Sequence, residues 1–317
     1  MLPKVQENGL VLVMSALLLF GCSDNRGTMR TDPVNILAQA FETVFWADAG
    51  LFTGSGPFQQ LPSRSIAFFQ LPFADLNVAL EKRPESALRS ILTDGSVEAV
   101  SAGAKNFQTP VGLGSGQATA AYILTVSRVH TLDLKRLVQT PPISSIESAP
   151  VWKWEFPYSD ARGLVAFYIS QPTPRYLVAA NRVEDLRSVS ESLRAAKGAP
   201  AKTESSLPIP GIPSSPVWGC RRFDMRRPAA TGAEQRSGLV GARALCAWLD
   251  VSSRAAIVQY AAEDQEREAT IQPPDVLPRF HRVRDSIWQS RIAFTGQEES
   301  QEQMFVLMSL FGFGIAL

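Results

Sequence analysis

Several short segments of the chain alternate apolar and polar residues in the way that β-strands with one buried face do. The pattern predicts strands over residues 65–71, 97–107, 117–129, 151–156, 163–170, 176–180, 255–260 and 287–294. Asp94-Gly95 and Ser252-Ser253 are typical turn residues, and the short connections between strands favour antiparallel neighbours. The sequence therefore predicts antiparallel sheets.

Other segments repeat their apolar residues every three or four positions, as amphipathic helices do. They predict a first helix that starts at Pro33, carries an apolar face from Ile36 to Phe45 and is ended by Gly50. Further helices are predicted over residues 72–92 (interrupted at Pro84), 182–197 and 301–311. Asp32 and Asn181 are suitable N-caps, and Gly198 is suited to end the third helix. A short helical piece is expected at 133–139, and a closing strand at 313–317. Helices packed on antiparallel sheets make the predicted fold class α+β.

A proline-rich segment, residues 199–216, is typical of a linker. It predicts two lobes, with one α+β domain at 32–198 and a second at 217–317. Part of the pattern recurs after the linker. Val217-Trp218 corresponds to Val151-Trp152, and Leu245–Trp248 corresponds to Leu164–Phe167. The match is short and needs a long insertion, so a partial internal repeat and coincidence both stay open.

The first 22 residues have the pattern of an export signal. Lys4 precedes the apolar run Val11–Phe20, and Gly21-Cys22 follows directly. The run is too short to cross a bilayer and has the length of a signal-peptide core. Leu19–Cys22 resembles the lipobox of bacterial lipoproteins, with an aliphatic residue first and a small residue before the cysteine. An uncleaved anchor, or a secretory signal with an incidental cysteine, is the alternative.

The lipobox resemblance implies where the protein goes. It implies removal of residues 1–21, diacylation of the Cys22 sulfur and acylation of the new amino terminus by chains such as palmitate. Each buried methylene contributes about 0.8 kcal/mol, so two or three chains hold a protein at a membrane. Residues 22–31 then form a tether. Ser23 after the cysteine implies the outer membrane, with the body of the protein in the periplasm.

The chain has three cysteines. With Cys22 lipidated, Cys220 and Cys246 remain as an even pair in an oxidising compartment. We expect them to form a disulfide; two buried free thiols are the alternative.

Charge and composition exclude some classes of protein. The chain has 31 lysines and arginines and 30 aspartates and glutamates, so its net charge is close to zero. Such a balance gives no overall positive potential that would attract nucleic acid, and we expect no nucleic-acid partner. Hydrophobic residues make up 45% of the chain, as in a globular protein with a real core.

No motif specifies a reaction. The glycine loop 112–116 lacks the lysine and Ser/Thr of a phosphate loop, and Ser115 is not in a nucleophile elbow. The two histidines, His130 and His281, have no metal ligand at suitable spacing. We therefore predict no catalytic residue, no metal and no cofactor.

Arginines form two clusters. Arg221, Arg222, Arg226 and Arg227, with Arg236 nearby, are the candidate anion-binding residues, and Arg279, Arg282, Arg284 and Arg291 form the second cluster. Guanidinium groups suit phosphates and carboxylates, although a solvated strand face carries such charges too. Five tryptophans fall in predicted strands, where they favour either core packing or a carbohydrate platform: Trp152, Trp154, Trp218, Trp248 and Trp288.

Together these features predict a lipid-anchored envelope protein with a non-enzymatic binding or structural role. Its partner would be another envelope protein or a polysaccharide. Two alternatives stay open: a hydrolase acting on the envelope with a site assembled from distant residues, and a binder of a small lipidic ligand.

Overall fold

In the computed structural model, the described residues are 31–70, 73, 96–105, 119–127, 134, 140–159, 163–196, 215–223, 239–240, 242–262, 270–271 and 280–294. Several predictions lie outside them: the signal peptide and lipobox, most of the tether, the helices at 72–92 and 301–311, the glycine loop, the linker up to residue 214, His130 and the closing strand at 313–317.

Fourteen strands are present in the described part of the chain. They are β1 Thr43–Asp48, β2 Val97–Lys105, β3 Thr119–Val126, β4 Ser144–Ile146, β5 Ala149–Ser159, β6 Gly163–Thr173, β7 Tyr176–Ala180, β8 Val217–Arg222, β9 Leu239–Val240, β10 Ala242–Asp250, β11 Ala255–Ala262, β12 Thr270–Ile271, β13 His281–Arg284 and β14 Ile287–Ala293. The helices are α1 Thr31–Ala40, α2 Gly50–Thr53, α3 Ser63–Gln70 and α4 Val183–Ala196, with a 3₁₀ turn at Gly56–Gln60.

Twelve of the strands form one sheet, in the order β13-β14-β11-β10-β8-β1-β2-β3-β7-β6-β5-β4. Every neighbouring pair in it is antiparallel. Strands β9 and β12 pair separately. The predicted class, an antiparallel sheet with packed helices, is confirmed in this form.

Strand β1 lies in the middle of the sheet and corrects one prediction. The sequence predicts a single helix from Pro33 through Phe45, ended by Gly50, but α1 ends at Ala40 and the chain enters β1 at Thr43. β1 pairs with β2 on one side and β8 on the other, so its backbone groups are satisfied between two neighbours. Val44, Phe45 and Trp46 are all buried because both faces of the strand are covered.

A second correction concerns residues 65–71, which were predicted as a strand and belong instead to helix α3. Ile66 on this helix packs against the core on one face of the sheet. A short apolar run does not by itself distinguish a strand from a buried helix, and packing against the sheet decides here.

The two faces of the sheet carry different layers. On one face, here called the helix face, α1 packs on β1 and β2, and α4 packs on β3, β6 and β7. On the other face, Leu51 of α2 and Phe58 of the 3₁₀ turn join the core with Phe45. Phe73 meets Phe45 edge to face, with 6.4 Å between ring centroids. The sheet is thus covered on both sides near β1.

Strand β3 and helix α4 were predicted close to their observed bounds. β3 is buried along its whole length, and α4 turns Leu186, Val189 and Leu193 towards the sheet. Within the described residues, no helix is long and apolar enough to cross a membrane.

Candidate functional site

The predicted disulfide is confirmed. Cys220 on β8 and Cys246 on β10 lie directly opposite each other, with 4.1 Å between their Cα atoms. Both are buried on the helix face, in the same core cluster as Leu37 of α1. The bond therefore joins two neighbouring strands from inside the core.

Arg221 and Arg222, two of the four candidate anion-binding residues, follow Cys220 on β8. Successive side chains on a strand point to opposite faces of the sheet. Cys220 belongs to the helix-face core, so Arg222 shares that face and Arg221 lies on the other. The structure does not bring these two guanidinium groups together on one side. Arg226 and Arg227 are outside the described residues.

Each of the two arginines has a local contact. The guanidinium of Arg221, which is half-buried, lies over the ring of Phe223 at 5.4 Å from its centroid. Arg222 is exposed, and its Nη1 donates a hydrogen bond to the carbonyl oxygen of Ala38 at 3.4 Å. Ala38 lies in the last turn of α1, where free carbonyl groups favour a cation.

The second arginine cluster lies at one end of the sheet. Strand β13, which the sequence did not predict, is the outermost strand there, and all four of its residues are exposed. His281 and Arg284 lie opposite Gln289 and Ile287 of β14. Ile287 packs with the helix-face core, so His281 and Arg284 share that face. Arg291 is two residues beyond Gln289 on the same side of β14.

Hydrogen bonds hold two of these arginines. Nη2 of Arg291 donates to the carbonyl oxygen of Ser253 at 3.1 Å. Nε of Arg282 donates to the carbonyl oxygen of Asp285, in the turn between β13 and β14. Arg282 lies opposite Trp288 and therefore on the other face from Arg284. Arg279 is outside the described residues.

Asp250 is the described carboxylate with a clear pKa shift. Its two oxygens accept hydrogen bonds from the hydroxyls of Ser252 and Ser253, each at 2.6 Å. These bonds, with those from the two backbone N–H groups, lower the pKa of Asp250 to about 2. The contacts close the turn between β10 and β11. No group of three residues able to hold a metal occurs in the described part of the chain.

The tryptophans pack into the sheet. Trp152, Trp154 and Trp248 are buried, and Trp218 and Trp288 are half-buried. Trp288 stacks on Tyr260 with 6.3 Å between ring centroids. Burial favours the core interpretation of these residues over a carbohydrate platform.

The arginines at 282, 284 and 291 are visible in the sequence, but the edge strand β13 that carries the first two was not predicted. The available signal in the segment His281–Trp288 is weak. Asp285 and Ser286 are turn-type residues, but the pair lacks the glycine that marks a two-residue hairpin connection in sequence.

No family model and no curated protein matches the chain. Among solved structures it is similar to three crystal forms of TP0453. Form III gives a TM-score of 0.40 at 11% identity, over 87% of this chain and 98% of the other. Form I gives 0.42 at 11% identity, over 89% and 98%. Form IV gives 0.38 at 8% identity, over 89% and 98%.

Proposed function

We propose that this chain is a lipid-anchored protein of the bacterial envelope, with a non-enzymatic binding or structural role. The observation that carries the proposal is the disulfide between Cys220 and Cys246. Disulfides persist in oxidising compartments such as the periplasm. Because this bond uses two of the three cysteines, Cys22 at the lipobox is the remaining one.

In this proposal the mature protein starts at Cys22 and carries acyl chains there. Ser23 directs it to the outer membrane, and residues 22–31 connect the anchor to the folded body. The body lies in the periplasm, where it binds another envelope protein or a polysaccharide.

We also propose that the body consists of two lobes divided near residues 199–216 and related by a partial internal repeat. Two three-stranded antiparallel meanders support this, β5-β6-β7 before the linker and β8-β10-β11 after it. Their registers differ by two residues. In the proposed repeat, Trp248 corresponds to Phe167 and Trp218 corresponds to Trp152. Trp248 lies opposite Trp218, but Phe167 lies opposite Trp154, which is two residues beyond Trp152.

Labelling with radioactive palmitate tests the lipid anchor. We expect the label to enter the wild-type protein in its bacterial host and to be lost in Cys22→Ala, which should also keep residues 1–21. The double variant Cys220→Ala, Cys246→Ala is the matched control and should label normally. Label retained in Cys22→Ala, or absent from the wild type, would remove the proposed anchor and the role inferred from it.

A further inference from the structure

The outer side of strand β13 is the exposed end of the sheet. β13 pairs with β14 through His281, Arg282 and Arg284, and the strand order of the described residues ends there. A terminal strand presents backbone N–H and C=O groups that another extended segment can pair with. The exposed residues of β13 include Val283, which has 44% of its surface accessible. This edge therefore offers both hydrogen bonds and an apolar contact.

The edge is also basic. Strand β13 carries two arginines, at 282 and 284. Residues 280–294 contain one further arginine, Arg291 on the neighbouring strand β14, and one carboxylate, Asp285. The ion pairs seen elsewhere join Lys153 to Glu155, Arg175 to Glu98 and Arg194 to Glu147. Within the described part of the chain, Arg284 has no carboxylate partner. Its charge is available to a molecule that approaches the edge.

The opposite end of the sheet differs in charge. Strand β4 ends that side, and its exposed residues Ser144 and Ser145 are uncharged. Pro141 and Pro142, just before it, cannot donate ladder hydrogen bonds. The two edges are therefore not equivalent as surfaces for strand addition, and the positive charge is at β13.

We propose that strand β13 binds an extended acidic segment of a partner protein, which adds to the sheet as a further strand. Backbone hydrogen bonds to β13 supply affinity, and a carboxylate facing Arg284 on the helix face selects an acidic sequence. Arg282 and Arg284 oppose pairing with a second copy of β13, because like charges across a strand pair are destabilising. The inference rests on the proposed binding role and names the class of partner.

Fluorescence anisotropy with the full acylated chain in detergent tests the inference. The probe is a labelled, end-capped heptapeptide that alternates glutamate and valine. One control peptide has lysine in place of glutamate, and another has proline in place of valine, which removes backbone donors. We expect the glutamate peptide to bind and both control peptides to bind at least about tenfold more weakly, because charge and strand pairing are both required.

Matched variants locate the site. Arg284→Glu should weaken binding of the glutamate peptide by about tenfold or more, since it places like charges together. Arg187→Glu makes the same charge change at an exposed position on α4 and should alter binding by less than about twofold. If both variants lose the same affinity for the glutamate peptide, the proposal is wrong, because binding would then depend on net charge alone.

Dextran sulfate serves as a polyanion without a peptide backbone. We expect it to compete poorly at ionic strength near 0.15 M, because it cannot form backbone hydrogen bonds to β13 and because charge attraction beyond about 8 Å is screened. If dextran sulfate binds and the proline peptide binds as well as the valine peptide, the edge is a polyanion surface and the inference is wrong. Absence of peptide binding also overturns it. Neither result affects palmitate labelling. A wrong proposal for the lipid anchor can therefore be distinguished from a wrong proposal for peptide binding at β13.

Discussion

At the scale of single residues, the Phe45 ring lies so close to Gly219 of β8 that only glycine fits at this position. Gly219 lies opposite Phe45 of β1, and a Cβ atom added at Gly219 would lie 2.3 Å from Cδ1 of the Phe45 ring. The ring is buried and meets Phe73, so it has little room to move. Glycine is therefore required by packing at this position.

We predict that Gly219→Ala destabilises the protein by about 1–3 kcal/mol through overpacking, although alanine is otherwise preferred over glycine in a strand by about 0.5–1 kcal/mol. Urea unfolding measures the change. In a Phe45→Ala background the ring is absent, and adding Gly219→Ala should then be neutral or stabilising. The same loss in both backgrounds would contradict the steric explanation.

At the scale of elements, β8 and β10 are joined twice, by their hydrogen-bonded ladder and by the disulfide. The even pair of cysteines that remains after lipidation of Cys22 predicts the bond, but it does not indicate that the two cysteines lie directly opposite each other. That position depends on a register set by Trp218 against Trp248 and Arg222 against Ala244. The register follows from which face each strand buries.

We predict that the double variant Cys220→Ala, Cys246→Ala is less stable than the oxidised wild type by about 3 kcal/mol, because the bond restricts a loop spanning 26 positions in the unfolded chain. Urea unfolding measures the difference. Since both cysteines are buried, dithiothreitol should reduce the wild type only in urea, and it should leave the double variant unchanged. Equal stability of the two proteins would contradict this prediction.

At the scale of the whole molecule, β1 joins the segments on either side of the proline-rich linker. It pairs with β2 from the first segment and with β8 from the second. Trp46, Trp218 and Trp248 lie side by side on the neighbouring strands β1, β8 and β10. The sheet therefore continues from one segment to the other by non-covalent contacts.

We predict that the two segments stay associated when the chain is cut between them. A protease recognition sequence inserted between Ser205 and Ser206 allows the cut, and size-exclusion chromatography should show both pieces eluting together at the size of the uncut protein. The disulfide lies wholly in the second piece, so a reducing agent should not separate them. Uncut protein is the control, and elution as two smaller species would contradict the prediction.

Strongly patterned elements could be predicted from the sequence, and elements buried on both sides could not. β5, β6, β7 and α4 have clear periodicity and flanking turn or cap residues, and the predictions match them closely. β1 is apolar on both faces, so it lacks alternation and its residues continued the helical spacing of α1. The arginines at 282 and 284 are visible in the sequence, but the edge that they occupy is defined only by strand order.

The sequence by itself determined the antiparallel character of the sheet and the main amphipathic helix α4. It also supplied two predictions, the pairing of Cys220 with Cys246 and the lipobox. These depend on local periodicity, turn chemistry and residue counts. Tertiary structure alone decided that β1 is a central strand and that residues 63–70 are helical. It also decided that Arg221 and Arg222 lie on opposite faces of the sheet and that β13 is an edge strand. Each of these depends on which backbone groups and apolar faces find partners distant in the chain, and such pairing leaves no local pattern.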